Sequence, residues 1–471
     1  MSKNFIPAEV RRIHLIAVCG TAMGALACML KDLGYLVTGS DQKVYPPISR
    51  FLAERGITVL NGFRAENLNH QPDLVVVGNA VPATNPEAVE CGRLGIPFCS
   101  MPQAVKRFVA EGKATLMVAG THGKTTTSAL LAWILQVAGR EPSFLIGGIL
   151  KNFDSNYRLG PGPEMVIEGD EYDTAFFDKG PKFLHYAPTV TMLTSVEFDH
   201  ADIYRDFGHV QSAFRRMVSS LHPGSLLLAW DGEPVIDEVI ADAPAAVRRY
   251  GTRSGSAWRL GQVRIDPPWT SFEVLKEGGV FGCFRTRMIG RYNLLNALAG
   301  IAAADHLGLA PAAAEEALES FEGVKRRQEV RGEKRGIAVI DDFAHHPTAV
   351  RETIVAVKSS YPGRRLIAVF EPRTQTSMRK VFQAVYPQSF EGADLICIRR
   401  IPLPEKVPEA ERFSSEELVA ELRRRGKAAF FFEDTDAIID FIVASGQAGD
   451  VVLIMSNGGF DNIHERLLDS L

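Results

Sequence analysis

Three times along this chain, short runs rich in β-branched residues alternate with longer segments of helical apolar period, and that alternation restricts the fold to parallel sheets covered by helices. The first series runs through IHLIAV from Ile13, YLVTGSD from Tyr35, ITVL from Ile57 and LVVVGNAV from Leu74. It reads as a compact nucleotide-binding-type domain ending near Gly112. The second opens with TLMVAG from Thr115 and continues through EMVIEGDE from Glu164 and TVTMLTSVEFDH from Thr189. It ends in a helix, NLLNALAGIAAADHLG from Asn293, closed by Gly308 in the manner of a helix C-terminus. The charged segment FEGVKRRQEVRGEKRG, from Phe321 to Gly336, reads as a linker. The third series follows: IAVIDDFAHHP from Ile337, RLIAVFEPRT from Arg365, ADLICIRR from Ala393 and VVLIMSNGGF from Val451. A length of 471 residues agrees, since one domain per ~150 residues gives about three.

A net charge of −4, with 46% hydrophobic and 23% charged residues, describes a soluble globular protein and offers no reason to expect nucleic acid or an anionic membrane as partner. The six cysteines (Cys19, Cys28, Cys91, Cys99, Cys283, Cys397) form no CxxC pair or zinc-like group, and read as small buried thiols in a reducing compartment. MSKNFIPAEVRR has no apolar signal core, and no run approaches the ~20 apolar residues of a membrane span, so a cytoplasmic location is expected. The basic cluster Arg423, Arg424, Arg425 and Lys427 beside Gly426 reads as a helix end favoured by the helix dipole, not as a binding patch.

The stretch VAGTHGKTTTSALLAWIL from Val118 carries the chemistry. A phosphate loop needs glycines so that backbone N–H groups converge on oxygens, a lysine to neutralise charge, and a hydroxyl for magnesium. Gly120, Gly123, Lys124 and Thr125 supply these parts ahead of a helix N-terminus. The spacing departs from GxxxxGK[ST], whose first glycine would fall at Val118. A chance turn is the bland alternative, and the strand before with the helix after weighs against it. Magnesium needs oxygen or imidazole donors near sheet ends. Glu168, opening EGDEYD, and His200, within EFDHAD, are candidates, although clustered acids such as Glu168, Asp170, Glu171 and Asp173 are ordinarily a solvated loop. In the first domain Gly20 and Gly24 with Asp41 suggest a dinucleotide site. The full GxGxxG is missing, however, and another diphosphate on the first helix N-terminus would satisfy the same physics.

With these residues in view the chain resembles the Mur ligases, ATP-dependent enzymes that form amide bonds in peptidoglycan assembly. GTHGKTTT matches that family's variant phosphate loop, and EGDEYD, EFDHAD, GRYNLLNALAG, GVKRRQE and DDFAHHPT follow in the family's order over nearly the whole chain. The resemblance implies an α/β, three-domain Mur ligase architecture: a Rossmann-like UDP-sugar-binding domain (1–112), a central P-loop ATPase-like domain (113–323) and a C-terminal Rossmann-like closing domain (324–471). It further implies ATP contacts from Gly120, Thr121, His122, Gly123, Lys124, Thr125 and Thr126, with Asn293 and Asn296 beside adenine. Arg327 would reach the γ-phosphate, Asp342 the ribose, and His346 the phosphates. Mg²⁺ would be held by Thr125 and Glu168, with His200 serving a second ion; Lys124, Glu168, His200 and Arg327 would be the catalytic set. Gly20, Thr21, Met23, Asp41, Asn79 and Ala80 would neighbour the UDP-sugar. Where several members carry a carbamylated lysine this chain has Arg215, so the second metal is expected to be held differently.

The muramate:L-alanine branch carries GIGGAGMSG at the first turn, whereas this chain reads AVCGTAMGALA from Ala17. That pattern, with GSDQKVYPPIS from Gly39, FEPRTQT from Phe370 and SNGGF from Ser456, is similar to the recycling branch, which joins UDP-N-acetylmuramate to a murein tripeptide in one step. A tripeptide brings several carboxylates and an extra amine, for which Arg373, Ser456 and Asn457 are the candidate contacts. SNGGF also reads as an ordinary glycine-rich turn. The competing expectations are a single-amino-acid ligase, a folylpolyglutamate synthetase-like enzyme, and, in another class, a P-loop switch. Oligomeric state is not legible in the sequence.

Overall fold

In a computed structural model, residues 3–42, 44 and 48–471 are described; Lys43, Tyr45, Pro46 and Pro47 of the GSDQKVYPPIS stretch lie outside them. By contact the described residues form two compact bodies. One holds the residues up to Val196 together with Gln211–Trp258 and Ala299–Ala317, and the other holds Glu197–Val210, Arg259–Leu298 and Leu318–Leu471.

In the first body, β1 (Arg12–Ile16), β2 (Leu36–Asp41), β3 (Thr58–Asn61), β4 (Leu74–Val77) and β5 (Phe98–Ser100) form a sheet in the order β3-β2-β1-β4-β5, and every pairing is parallel. Four of these strands were legible as apolar runs; β5 was not, because three residues carry no period. A second sheet is built from β6 (Ala114–Ala119), β7 (Ser143–Leu150), β8 (Ser155–Arg158) and β9 (Glu164–Gly169). After the small pair β10 (Asp173–Ala175) and β11 (Asp178–Pro181), it is completed by β12 (Val190–Leu193), β13 (Leu226–Trp230) and β14 (Ala246–Gly251). The order is β14-β13-β12-β6-β9-β7-β8, with β6 parallel to both neighbours. Its central strands are buried on both faces and mostly apolar, because helices cover both faces of a parallel sheet.

The strands β15 (Trp258–Asp266), β16 (Trp269–Lys276) and β17 (Gly279–Thr286) were not anticipated from the sequence; β16 and β17 pair antiparallel. Cys283 on β17 is exposed, which corrects the expectation that every thiol is buried. The helix Arg291–His306 ends as expected, with Gly308 at φ +76°.

In the second body, β18 (Glu329–Lys334), β19 (Ile337–Asp342), β20 (Leu366–Phe370), β21 (Leu395–Arg399), β22 (Ala428–Phe432) and β23 (Val451–Met455) form a sheet in the order β18-β19-β23-β20-β21-β22. Only β18 is antiparallel, and it lies inside the segment read as a linker. Its alternating charges look like loop composition, yet they suit an edge strand, where they discourage further pairing. The other strands show the two-residue period of a sheet covered on both sides. Ile340, Leu366, Ala368, Phe370, Leu453 and Met455 enter one core with Val350 and Ile354 of the helix Pro347–Ser360. Val339, Ile367, Val369 and Ile454 enter the other, with Ile438 and Ile442 of the helix Thr435–Ser445. Each Val, Leu, Ile, Phe or Met among them contributes about 1.5–3 kcal/mol on burial. The Arg423–Lys427 cluster is the end of the helix Ser415–Arg424, with Gly426 at φ +77°.

One buried acid ties the first sheet together. Glu87, fully buried on the helix Pro86–Leu94, accepts from Ser40 Oγ at 2.5 Å, from Asn67 Nδ2 at 2.5 Å and faces His14 Nε2 at 3.2 Å. Burial opposes its charge, but these partners outweigh burial and hold its carboxyl below the ordinary glutamate value. A depressed folded pKa contributes stability above the unfolded pKa and loses it as pH falls through the folded one. The melting temperature should therefore drop as pH is lowered below the ordinary value of 4.5. Glu87→Gln should lose part of that acid sensitivity and be less stable at neutral pH by about 2 kcal/mol, measured by thermal melts across pH.

Candidate active site

Each sheet reverses its strand order beside a central strand, and open α/β sheets bind ligands at the carboxyl ends of strands next to such reversals. In the first sheet the reversal falls between β1 and β4. The turn leaving β1 is pinned by its backbone: the N–H groups of Ala17 and Val18 both donate to Ser40 O, at 2.9 and 3.0 Å, and Cys19 N–H donates to Asp41 Oδ2 at 2.9 Å. Ala17 has φ +66°, a left-handed conformation that glycine adopts more readily than alanine. Gly20 is the N-cap of the helix Thr21–Asp32 and makes no side-chain cap bond. Thr21 and Met23 lie in the first turn of that helix. Asn79 and Ala80 are exposed on the turn leaving β4.

The phosphate turn lies between β6 and the helix Lys124–Val137. Gly120 and Gly123 have φ +136° and +80°. A Cβ on Gly120 would fall 2.3 Å from Thr194 Oγ1 and 2.8 Å from Ser195 N. These two residues follow β12 and organise the turn: Thr121 N–H donates to Ser195 O at 3.2 Å, His122 N–H to Ser195 Oγ at 2.8 Å, and Thr194 Oγ1 to Ala119 O at 3.1 Å. Thr125, in the first turn of the helix, is buried, and Thr126 follows it. Lys124 Nζ donates to Gly120 O at 2.6 Å and to Glu171 Oε2 at 2.8 Å. Burial disfavours its charge, but the carboxylates of Glu171, Asp170 and Glu168 prevail and raise its pKa above the ordinary lysine value. Glu168, next to last in β9, is in register with Val118 of β6, and its Oε1 accepts the N–H of Gly147 at 2.7 Å. The acidic cluster is thus divided: Glu171 is buried as the lysine's counter-ion, while Asp170 pairs with Lys182 at 2.6 Å. Glu171 was named from sequence only as part of the acidic cluster, and Thr194 and Ser195 were not singled out for the site; a Thr-Ser pair just past an apolar strand was the available signal. Arg215 pairs with Glu238 at 3.3 Å on a half-exposed face.

The second body collects the other residues. His200 has φ +58° and its N–H donates to Asp199 Oδ1 at 2.7 Å. Asp199 is buried; burial opposes its charge, yet a hydrogen bond from His345 and the neighbouring His200 and His346 hold its carboxyl well below the usual range. His346 caps the helix Pro347–Ser360, accepting the Thr348 N–H at Nδ1, and its Nε2 lies 3.1 Å from Phe198 O. Asp342 accepts from Gln328 N–H at 2.8 Å and Ala344 N–H at 2.7 Å, and burial raises its pKa. Gln328 links it to the asparagines: Asn293 Nδ2 donates to Gln328 Oε1 at 3.0 Å and Asn296 Nδ2 to Asn293 Oδ1 at 3.2 Å. Arg327 stacks over Phe343 at 4.7 Å.

At the ends of β20 and β23 lie Arg373, Ser456 and Asn457. Ser456 Oγ donates 2.6 Å to Glu371, a fully buried carboxylate absent from the sequence-based set. Arg326 donates to Ser456 O and Gly458 O, both at 2.6 Å. The glycine in SNGGF has a reason: a Cβ on Gly458 would fall 2.2 Å from Arg373 Cδ, so the arginine stem lies directly across it. Arg373 has no hydrogen bond among the described residues, and the buried Oδ1 of Asn457 has no partner among them.

Family models match in chain order: Mur ligase family, catalytic domain over residues 12–113; Mur ligase middle domain over 118–304; Mur ligase, glutamate ligase domain over 326–458. The chain is 40% identical over 462 residues to the UDP-N-acetylmuramate--L-alanyl-gamma-D-glutamyl-meso-2,6-diaminoheptandioate ligase of Escherichia coli (strain K12), covering 98% of both chains. A crystal structure of a murein peptide ligase from Psychrobacter arcticus 273-4 superposes with TM-score 0.71 at 34% identity, covering 98% of each chain. A UDP-N-acetylmuramate-alanine ligase from Thermotoga maritima gives TM-score 0.80 at 25% identity, covering 98% of this chain and 99% of that one. The fold and the phosphate turn are those of ATP-dependent ligases that form amide bonds. The chain belongs to the Mur ligase family.

Two outcomes follow from the backbone. Gly120→Ala should lower ATP-dependent turnover by about a hundredfold or more, because the turn must leave Thr194 and Ser195; steady-state phosphate release measures it. Ala17→Gly should relieve left-handed strain and raise stability by about 0.5–1 kcal/mol after the entropy cost of glycine, read from denaturant unfolding.

Proposed function

We propose that this ligase joins the lactyl carboxylate of UDP-N-acetylmuramate to the amine of L-alanyl-γ-D-glutamyl-meso-diaminopimelate, in the recycling of cell-wall peptides. The observation that carries this reading is the Glu371–Arg373–Ser456–Asn457 group, supported by the 40% identity to the E. coli enzyme of that name. An arginine with no hydrogen bond and an amide oxygen with no donor, among the described residues, suit an amine substrate that brings carboxylates and a second ammonium. L-alanine brings a single carboxylate and no second ammonium. The Thermotoga superposition favours the muramate:L-alanine reading by fold, but its 25% identity carries less weight on substrate.

A carboxylate does not condense with an amine at neutral pH, because oxide is not a competent leaving group. The lactyl carboxylate attacks the γ-phosphorus of ATP, forming an acyl phosphate and releasing ADP. The amine then adds to the acyl carbon, and the tetrahedral adduct expels inorganic phosphate to leave an amide. Within this sequence Lys124 turns from Glu171 to the phosphates, and Gly120, Thr121, His122, Gly123, Thr125 and Thr126 line them with backbone and hydroxyl groups. Arg327 acts on the γ-phosphate, Asn293 and Asn296 on adenine, Asp342 on the ribose, and His346 near the phosphates. Gly20, Thr21, Met23, Asp41, Asn79 and Ala80 serve the UDP-sugar. Thr125, in the first turn of the helix that follows β6, and Glu168, on the neighbouring parallel strand β9, are hard oxygen donors that would suit Mg²⁺, and His200 would serve a second ion. An ion held there would supply positive charge to screen the transferring phosphoryl group. The domain boundaries we assign are 1–112, 113–323 and 324–471, in a cytoplasmic enzyme.

With UDP-N-acetylmuramate and ATP present, the tripeptide should stimulate ADP formation far more than L-alanine does. Oxygen-18 in the lactyl carboxylate should appear in the released phosphate. Lys124→Ala should abolish turnover and leave UDP-sugar binding intact by calorimetry. Equal stimulation by L-alanine would point to the single-amino-acid ligase, and ADP formation without any amine or sugar nucleotide to a switch.

A further inference from the structure

Just beyond SNGG the backbone does something unusual for residues with side chains. Phe460, Asp461 and Asn462 follow one another at φ +46°, +49° and +58°, a turn of left-handed helix built without glycine. Single left-handed residues are tolerated, but three in a row must be held by their surroundings. The holder is Arg399, at the end of β21 and distant in sequence. Its guanidinium donates to Glu371 Oε1 and, at 2.6 Å, to Asp461 Oδ2, and it lies 5.4 Å over the fully buried ring of Phe460. Thr435 Oγ1 donates to the same Asp461 oxygen at 2.7 Å. Burial works against the charge of Asp461, but Thr435, Arg399 and Arg373 hold its carboxyl below the usual range.

The second consequence concerns Arg373. Its Nη1 is only 3.6 Å from Glu371 Oε1, the oxygen that Arg399 occupies. Two carboxylates therefore share one well-buried guanidinium, while the other arginine, a third exposed, stands beside them without a hydrogen bond. Glu371 is fully buried, so it cannot lose Arg399 without drawing in the nearest cation. We propose that Arg399 is a positioning residue for the incoming peptide: by bridging Glu371 and Asp461 it fixes the turn behind the Ser456–Gly459 loop and keeps Arg373 free for a carboxylate of that peptide. This inference rests on the peptide-ligase reading above.

The test uses the full-length enzyme and steady-state kinetics with ATP, UDP-N-acetylmuramate and the tripeptide each varied in turn. Arg399→Met should raise KM for the tripeptide about ten- to a hundredfold, with KM for ATP and for the sugar nucleotide unchanged. Arg399→Lys should recover part of that loss. The discriminating variant is the double substitution Arg399→Met with Glu371→Gln: with the buried carboxylate neutralised, Arg373 is released and KM for the tripeptide should return toward the wild-type value. Thermal melts and far-UV spectra accompany every variant. An unchanged tripeptide KM in Arg399→Met would overturn the inference while leaving the peptide-ligase reading intact. So would an equal rise in all three KM values, a collapse of the fold, or failure of the double variant to recover. Should the wild-type enzyme make no product from the tripeptide, the functional reading fails and the inference with it.

Discussion

Gly120 sits so close to the end of β12 that no side chain fits between them, and the nucleotide chemistry depends on that contact. Thr194 and Ser195 take hydrogen bonds from, or give them to, the backbone on either side of Gly120, so the turn is shaped before any phosphate arrives. Preorganised N–H groups act without a reorganisation cost at the moment of reaction. The lysine behind them is kept charged by Glu171, which also gives it somewhere to rest. Burying a lysine without such a partner would push it toward neutrality and remove the cation on which phosphoryl transfer depends.

The same logic places polar chemistry at one edge of each sheet. A parallel sheet covered on both faces has little solvated surface along its strands, as the almost complete burial of β6, β12, β19 and β23 makes plain. Functional side chains are therefore confined to the turns that leave the strands. Asp41, Glu168, Asp342, Glu371 and Ser456 all sit at or just beyond strand ends. Several are tied back by backbone N–H groups or hydroxyls: Asp41 by Cys19, Glu168 by Gly147, Asp342 by Gln328 and Ala344. These ties fix the acids' orientation, and they also restrict what each can offer a ligand.

Much of this was legible in the residues. Long β-branched runs marked the central strands, because strands buried on both faces must be apolar throughout. The glycines and lysine after Val118 marked the phosphate turn, because few other residues tolerate that backbone. What escaped reading was whatever depends on partners remote in the chain. β18 carries charges that look like a loop until its neighbour β19 is known. Glu371 reads as one more polar residue in FEPRT, and its burial becomes evident only with Ser456 and Arg399 beside it. Ala17 was seen to replace a glycine, but its left-handed backbone was not foreseen, since alanine gives no local signal for it.

The stem of Arg373 lying across Gly458 has a bearing on how this loop can change over generations. Any side chain at 458 expels the arginine, and a smaller residue at 373 leaves the glycine without its reason. Neither site can drift alone without passing through a defective intermediate. Lineages that accept a different amine should therefore differ at the two positions jointly, and a library that varies them one at a time would miss the functional combinations.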